Sequence, residues 1–318
     1  FKQVLRGGFQ QKTELVYQVI ARHNLEQFQK DFSECDEFVY DLETSGLDWY
    51  ASDSYINCVG LYLGTGKAYV LPIRKAPTLP EDAQRKLLKW MEAQGKRAIG
   101  HNVKFDSLWL RKKFGVHFVT HFDTMLAHHL LDENSPHGLN ELSRRFLNAP
   151  DYDLTTAEKK GDTLAEKLFK YCAWDCYYTY ELKKLFVKDL FKDIALRKLY
   201  YKMVVPAARM METVDGVGHY IDLPRMEQTR TELQVKLSVA EAKLNEIAGK
   251  EVNWNSPKQV AVILFTDLGL VPKVFTDKGL PSTGEAALAE LDAHPIKSLL
   301  MEYRGHQKQL STYIEGWG

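Results

Sequence analysis

The chain has 318 residues, 45% of them hydrophobic and 26% charged, with 42 basic and 42 acidic side chains in exact balance. That is long enough for two domains with their own cores, and the composition excludes a disordered or fibrous chain. No apolar run approaches the roughly 20 residues needed to cross a bilayer and the opening residues carry no signal-peptide pattern, so no membrane is expected among its partners.

Residues 1–35 read as a polar, mostly helical lead-in. A strand is expected over 38–43, followed by the turn residues Ser45 and Gly46. Two further strands are expected over 55–63 and 67–73, joined by the hairpin signal Gly64-Thr65-Gly66. A helix over 80–94 and a short buried strand over 97–100 follow. Strands that give way to strand–helix alternation point to an α/β domain with a mixed sheet, placed over 36–190. From 101 to 190 the pattern is mainly helical, with breaks at Asn134-Ser135-Pro136 and over the polar stretch 148–163, which holds Pro150 and Gly161 and reads as a loop.

After 190 the character changes to long amphipathic stretches, so 191–318 is expected as an all-α segment, a helical linker followed by a second domain. One helix spans about 223–248, with Asp222 to cap it, Pro224 in its first turn and Gly249 at its end. Its apolar stripe is Met226, Leu233, Leu237, Leu244 and Ile247, narrow enough for one neighbouring helix. A second helix starts at Ser256-Pro257, a third near Ser282 with Glu285 completing a capping box, and the last covers about 295–313. No internal repeat or low-complexity tract is visible.

The cysteines are Cys35, Cys58, Cys172 and Cys176. Cys172 and Cys176 stand one helical turn apart, but no second Cys or His pair has zinc-site spacing, so buried free thiols in a reducing, cytoplasmic compartment are expected. The runs Arg111-Lys112-Lys113 and Arg144-Arg145 read as solvated faces, although either is suited to meeting phosphates.

Three short stretches carry chemistry. Asp41 and Glu43 are two apart on a strand, which puts both carboxylates on one face. Such a pair is unfavourable without a cation, and hard oxygen donors suit Mg²⁺ or Mn²⁺. Asn102 and Asp106 are four apart after the short strand and share a face if a helix starts there. Tyr171 and Asp175 have the same spacing on a later helix. Each stretch alone has a bland reading: an acidic strand end, a helix cap, a surface pair.

In this order and spacing, D-x-E, N-x-x-[YF]-D and Y-x-x-x-D resemble the three exonuclease motifs of the DEDD superfamily, which has an RNase H-like fold. The tyrosine of the third motif marks its DEDDy branch. The resemblance covers 36–187 and places Asp41, Glu43, Asp106 and Asp175 at the four metal-binding acids and Tyr171 at the tyrosine. It implies 3′–5′ exonuclease activity with two ions, Mg²⁺ or Mn²⁺. One would be held by Asp41, Glu43 and Asp175, the other would share Asp41 and be held indirectly by Asp106, and Tyr171 would orient the attacking water. It also implies that Leu47 wedges beside the terminal bases while Asn102 and Phe105 line the strand's path.

The last third resembles family A DNA polymerases. Residues 211–217 with Tyr220-Ile221-Asp222 are similar, with local differences, to their M-E-x-x-G-V-x-I-D stretch, and 253–259 to their thumb tip, with 281–283, 302–305 and 311–313 continuing in register. The implied role is grip on duplex DNA, through Asn253, Ser256 and Lys258 at the tip and the cations Arg304 and Lys308. Palm motifs and the fingers helix do not appear in these residues. The expected reading is therefore the proofreading exonuclease of a family A polymerase, either a piece of a longer chain or one part of a split enzyme. Its partners would be a single-stranded DNA 3′ end, primer–template duplex and the palm and fingers. Two other readings stand: an RNase D-like exoribonuclease, and a catalytically silent DNA-binding subunit. The expected location is the cytoplasm, or the host-cell cytoplasm for a viral protein.

Overall fold

The computed structural model describes residues 14–152, 154 and 164–316. The chain separates into two compact units, the first ending at Gly218 and the second running from His219. Among the described residues no helix is long and apolar enough to cross a membrane.

The first unit is built on a six-stranded mixed sheet in the order β1-β4-β3-β2-β5-β6. Its strands are β1 (Val16–Val19), β2 (Glu37–Thr44), β3 (Ile56–Tyr62), β4 (Lys67–Pro72), β5 (Arg97–Gly100) and β6 (Thr120–Asp123). β2 lies inside the sheet, antiparallel to β3 and parallel to β5. Its residues alternate between two cores. Val39 faces the helices α4 (Thr124–Leu131), α5 (Leu139–Leu147) and α6 (Ala165–Leu190). Phe38, Tyr40 and Leu42 face α1 (Leu25–Glu34), α2 (Glu81–Ala93) and α3 (Val103–Phe114). The sheet is thus covered on both faces, and fully buried side chains such as Phe28, Phe32, Phe38 and Trp109 each contribute on the order of 2 kcal/mol.

Two strands depart from the expectation. The stretch read as a helical lead-in contributes β1, which pairs in parallel with β4 from Val16↔Lys67 to Val19↔Val70, before α1 begins. β6 lies within a stretch expected to be mainly helical and pairs in parallel with β5. Both are only four residues long. A segment of that length becomes a strand because a neighbour offers an open edge, which local periodicity does not show.

β6 also organises the helix starts. Asp123, buried at its end, accepts from the Val103 N–H at 2.9 Å and from the Met125 N–H at 2.9 Å, so one carboxylate caps both α3 and α4. Tyr200 closes the hub, accepting from the Asp123 N–H at 2.8 Å and donating to its carbonyl at 2.9 Å. The segment after 190, expected as a linker, packs into this first unit as α7 (Ile194–Leu199), a π-helical turn (Tyr200–Val204) and α8 (Val205–Val217). Glu212 on α8 is buried and pairs with Nε of Arg111 at 3.1 Å, so that member of the basic run holds the unit together.

The second unit opens with α9 (Leu223–Ala248). Asp222 accepts from the Arg225 N–H at 3.0 Å, and Gly249 ends the helix at φ +67°, as expected. Leu233, Leu237 and Leu244 are buried in a core shared with α12 (Pro295–Lys308), while Met226 and Ile247 are half-buried. The helix α10 (Pro257–Ala261) is capped by Ser256. The capping box expected at Ser282 is not formed: α11 (Glu285–Glu290) has Gly284 as its N-cap. The Ser282 N–H is committed to the Val274 carbonyl at 2.9 Å, which keeps this residue outside the helix. After α12 the chain continues as a π-helical turn, Gln309–Ile314.

Candidate active site

Asp41 and Glu43 leave β2 on the face covered by α6, as their spacing requires. The residue paired with Asp41 on β3 is Gly60, where a Cβ would stand 2.6 Å from the Cys172 Sγ and 2.9 Å from the Cys176 Sγ. The missing side chain lets α6 lie against the sheet and brings Tyr171 and Asp175 to the strand acids. On the other side, the registered pairing of β2 with β5 stops at Val39↔Ile99. The Leu42 N–H beyond it is taken up by Asp106 Oδ1 at 3.1 Å, which seats α3 against the same site. Gly100 allows the tight passage into α3, since a Cβ there would meet Val103 Cγ2 at 2.7 Å.

Asp41, Glu43, Asp106, Tyr171 and Asp175 all line one cavity of about 440 Å³. Leu47, Asn102 and Phe105 line it too, so every first-unit residue expected to act is gathered there. Leu47 is 81% exposed. Asn102 occupies the N-cap position of α3 in the left-handed region, at φ 56°, but its side chain makes no cap; Asp123 does that work.

The site is electrostatically unfavourable as it stands. Burial pushes the Asp41 carboxyl well above the usual carboxylate range, and Cys172, Asp106, Asp175 and Glu43 add to it. Burial also raises Asp106, against the opposing hydrogen bond from Leu42. Crowded, half-desolvated carboxylates fit a divalent cation with hard oxygen preference. Ligand atoms of the carboxylates Asp41 and Glu43 lie within 4.8 Å of each other and of the Cys172 thiol.

Three contributors were not singled out from the sequence. Tyr152 donates to Asp175 Oδ1 at 2.8 Å, from the stretch read as a loop. Burial, with the Asp175 charge next, pushes its phenol well above the ordinary range, so it stays a donor. Its ring lies 5.8 Å from that of Tyr171. His101 lines the cavity, with Nδ1 2.9 Å from the Thr124 hydroxyl. Cys172, read as a buried free thiol, is one, yet its Sγ lies 3.6 Å from Asp41 Oδ2. A Tyr or Cys next to a motif has no spacing signal of its own.

The remaining expected residues lie in the second unit. Trp254 is fully buried and donates to Asn245 Oδ1 at 2.9 Å, anchoring the turn that carries Asn253, Ser256 and Lys258. Asn253 Oδ1 accepts from the Asn255 N–H at 3.0 Å, while Ser256 caps α10. Arg304 is half-buried and donates to the Thr283 carbonyl, so part of its guanidinium is committed within the unit. Lys258 and Lys308 are exposed.

Comparison with known proteins shows the family and the fold. The family model described as 3′–5′ exonuclease matches residues 18–190, and the model of DNA polymerase family A matches residues 223–317. The DNA polymerase of Escherichia phage T5 is 31% identical over 310 residues, covering 87% of this chain and 36% of that protein. DNA polymerase I of Pseudomonas aeruginosa is 26% identical over 316 residues, covering 93% of this chain and 34% of its own length. The chain therefore spans about a third of the length of these relatives. Among solved structures, the POL domain of Pol1 from M. smegmatis, in complex with DNA primer-template and dNTP, superposes with a TM-score of 0.78 at 20% identity. That match covers 94% of this chain and 49% of the other, and shows a shared fold. The chain belongs to the 3′–5′ exonuclease family of the family A DNA polymerases and continues into the start of their polymerase domain.

Proposed function

We propose that this chain is the proofreading part of a family A DNA polymerase, removing mononucleotides from the 3′ end of a DNA strand by hydrolysis that depends on two divalent ions. The observation that carries the reading is the convergence of Asp41, Glu43, Asp106, Tyr171 and Asp175 on one cavity of about 440 Å³. Asp41, Glu43 and Asp175 would hold one Mg²⁺ or Mn²⁺, and Asp106, with Asp41 shared, would support a second. Bound there, the ions supply Lewis-acid activation of water and charge stabilisation at the leaving 3′ oxygen.

The protein's own groups do the rest. Tyr171 orients the attacking water, since a phenol is a better hydrogen-bond partner than base at neutral pH. Tyr152 fixes the Asp175 carboxylate through their 2.8 Å hydrogen bond. Leu47 stands where it can part the terminal bases, and Asn102 and Phe105 line the approach. The second unit acts as a thumb on primer–template duplex, with Lys258 and Lys308 meeting phosphates and the Asn253–Ser256 turn at its tip. The palm and fingers of the same polymerase are the partner, and the cytoplasm, of the cell or of an infected host, is the location.

The test is digestion of a 5′-labelled DNA strand with Mg²⁺, alone and in duplexes with matched or mismatched 3′ ends. The expected product is a ladder shortening from the 3′ end, faster for single strands and mismatches because their terminal base is already unpaired. Internal cuts or 5′ resection would overturn the reading. Equal or better digestion of RNA would favour an exoribonuclease, and no digestion with either ion a silent DNA-binding subunit.

A further inference from the structure

Among the described residues, Cys172 is a donor beside the carboxylate pair that this hydrolysis leaves unused. It follows Tyr171 on α6, is fully buried, and does not itself line the cavity. Its Sγ lies 3.6 Å from Asp41 Oδ2, and it forms with Asp41 and Glu43 a group whose donor atoms lie within 4.8 Å of one another. Gly60, opposite Asp41, is what lets the thiol come so near the strand. Asp41 is half-buried and opens onto the cavity, so an ion has a route to the thiol past this carboxylate.

Donor chemistry separates the kinds of ion. The thiol donates a 3.6 Å hydrogen bond to Asp41 Oδ2, an ordinary separation for a thiol and a carboxylate. An ion about 2.3 Å from sulfur and about 2.1 Å from oxygen in a tetrahedral shell holds two such donors about 3.6 Å apart, so it can take the proton's place with little movement of either. Thiolate in a tetrahedral shell suits zinc, cobalt and cadmium, whereas magnesium keeps to oxygen.

We propose that Cys172 is a metal ligand, together with Asp41 and Glu43, for thiophilic divalent ions. The proposal rests on reading Asp41 and Glu43 as the metal-binding pair of the nuclease. Mg²⁺ or Mn²⁺ binds through the carboxylates and does not recruit the sulfur. Zn²⁺, Co²⁺ or Cd²⁺ recruits the sulfur: a metal–sulfur bond forms, the thiol proton leaves to solvent, and no electron changes hands. Cys172 thereby sets which ions compete for the site, and a nuclease fed by magnesium becomes sensitive to trace zinc. Cys58 and Cys176, both buried beside it, stand outside the donor group.

Two measurements on the full chain decide it. X-ray absorption of the zinc-loaded wild-type protein should show one sulfur among oxygen donors, which needs no variant to fold. Titration with cobalt chloride should raise a near-ultraviolet thiolate-to-cobalt charge-transfer band in wild type, Cys58→Ser and Cys176→Ser, and none in Cys172→Ser. Zinc affinity, read by chelator competition, should fall at least about tenfold in Cys172→Ser. An all-oxygen zinc shell, or a band that survives Cys172→Ser, overturns the thiolate assignment and leaves the carboxylate site standing. Failure of the wild-type protein to bind cobalt or zinc at all overturns both.

Discussion

The Tyr152 hydroxyl donates a 2.8 Å hydrogen bond to Oδ1 of Asp175, and the two residues are 23 positions apart in the chain. Asp175 sits on α6, whereas Tyr152 precedes that helix in the chain and is held by ring contacts to Tyr171, Trp174 and Tyr178. The bond fixes the carboxylate's orientation without touching the substrate. Tyr152→Phe keeps the ring contacts and removes only the hydroxyl, so kcat at saturating Mg²⁺ should fall about tenfold, the usual cost of losing such an outer partner. The melting temperature should stay within about 3 °C of wild type, since one hydrogen bond is worth about 1 kcal/mol.

Replacing Asp41 and Glu43 together by Ala should abolish nuclease activity with the fold intact. The Asp41 carboxyl is held at a cost, by burial and by its acidic neighbours, so its removal relieves strain. Circular dichroism and a cleavage assay on the same preparation check this. Near wild-type hydrolysis by the folded double variant would remove these residues from the site.

The raised Asp41 and Asp106 carboxyls make a statement about pH. Their ordinary value lies near 3.9. Between that value and the raised one, the folded chain holds protons that the unfolded chain has lost. Without metal, stability should therefore fall as pH rises through this window. Asp41→Asn escapes the penalty and should melt higher than wild type at pH 8, with the gap closing toward pH 4. Divalent metal needs the ionised carboxylates, so the rise in melting temperature produced by Mg²⁺ should grow with pH. Differential scanning fluorimetry with and without EDTA reads both trends.

Gly60→Ala tests the approach of α6 to the sheet. The added methyl would meet two sulfur atoms inside 3.0 Å, so the helix must retreat by some tenths of an ångström. Overpacking of this kind costs about 1–3 kcal/mol. Because Tyr171 and Asp175 ride on the same helix, cleavage should fall at least about tenfold, well beyond what the loss of folded protein explains. Unchanged kcat in a destabilised but folded variant would separate the helix position from catalysis.

Lys258→Glu with Lys308→Glu tests the second unit. Both side chains are exposed, whereas Arg304 is tied to the Thr283 carbonyl and is a poorer choice for a surface test. If they meet phosphates, duplex affinity should drop and the salt dependence of binding should become shallower by about two ion equivalents. Hydrolysis of short single strands should change far less. Fluorescence anisotropy of labelled primer–template over a salt series provides the readout.

The sequence by itself determined which side chains meet: Asp41, Glu43, Asp106, Tyr171 and Asp175 line one cavity. D-x-E on a strand, and an acid one helical turn from an asparagine or a tyrosine, are local geometries, and local geometry follows from strand and helix periods alone. The long helix over 223–248 was legible for the same reason, through its cap, its proline and its terminal glycine. Tertiary structure alone decided what depends on partners distant in the chain. β1 and β6 are strands because β4 and β5 leave edges open to them. Asp123 caps two helices because the sheet brings their first turns together. The residues after 190 join the first unit because Tyr200 and Glu212 find buried partners there. The same holds for Tyr152 and Cys172: a phenol or a thiol acquires a role from the carboxylate it meets, and that meeting is a long-range contact without periodicity to announce it.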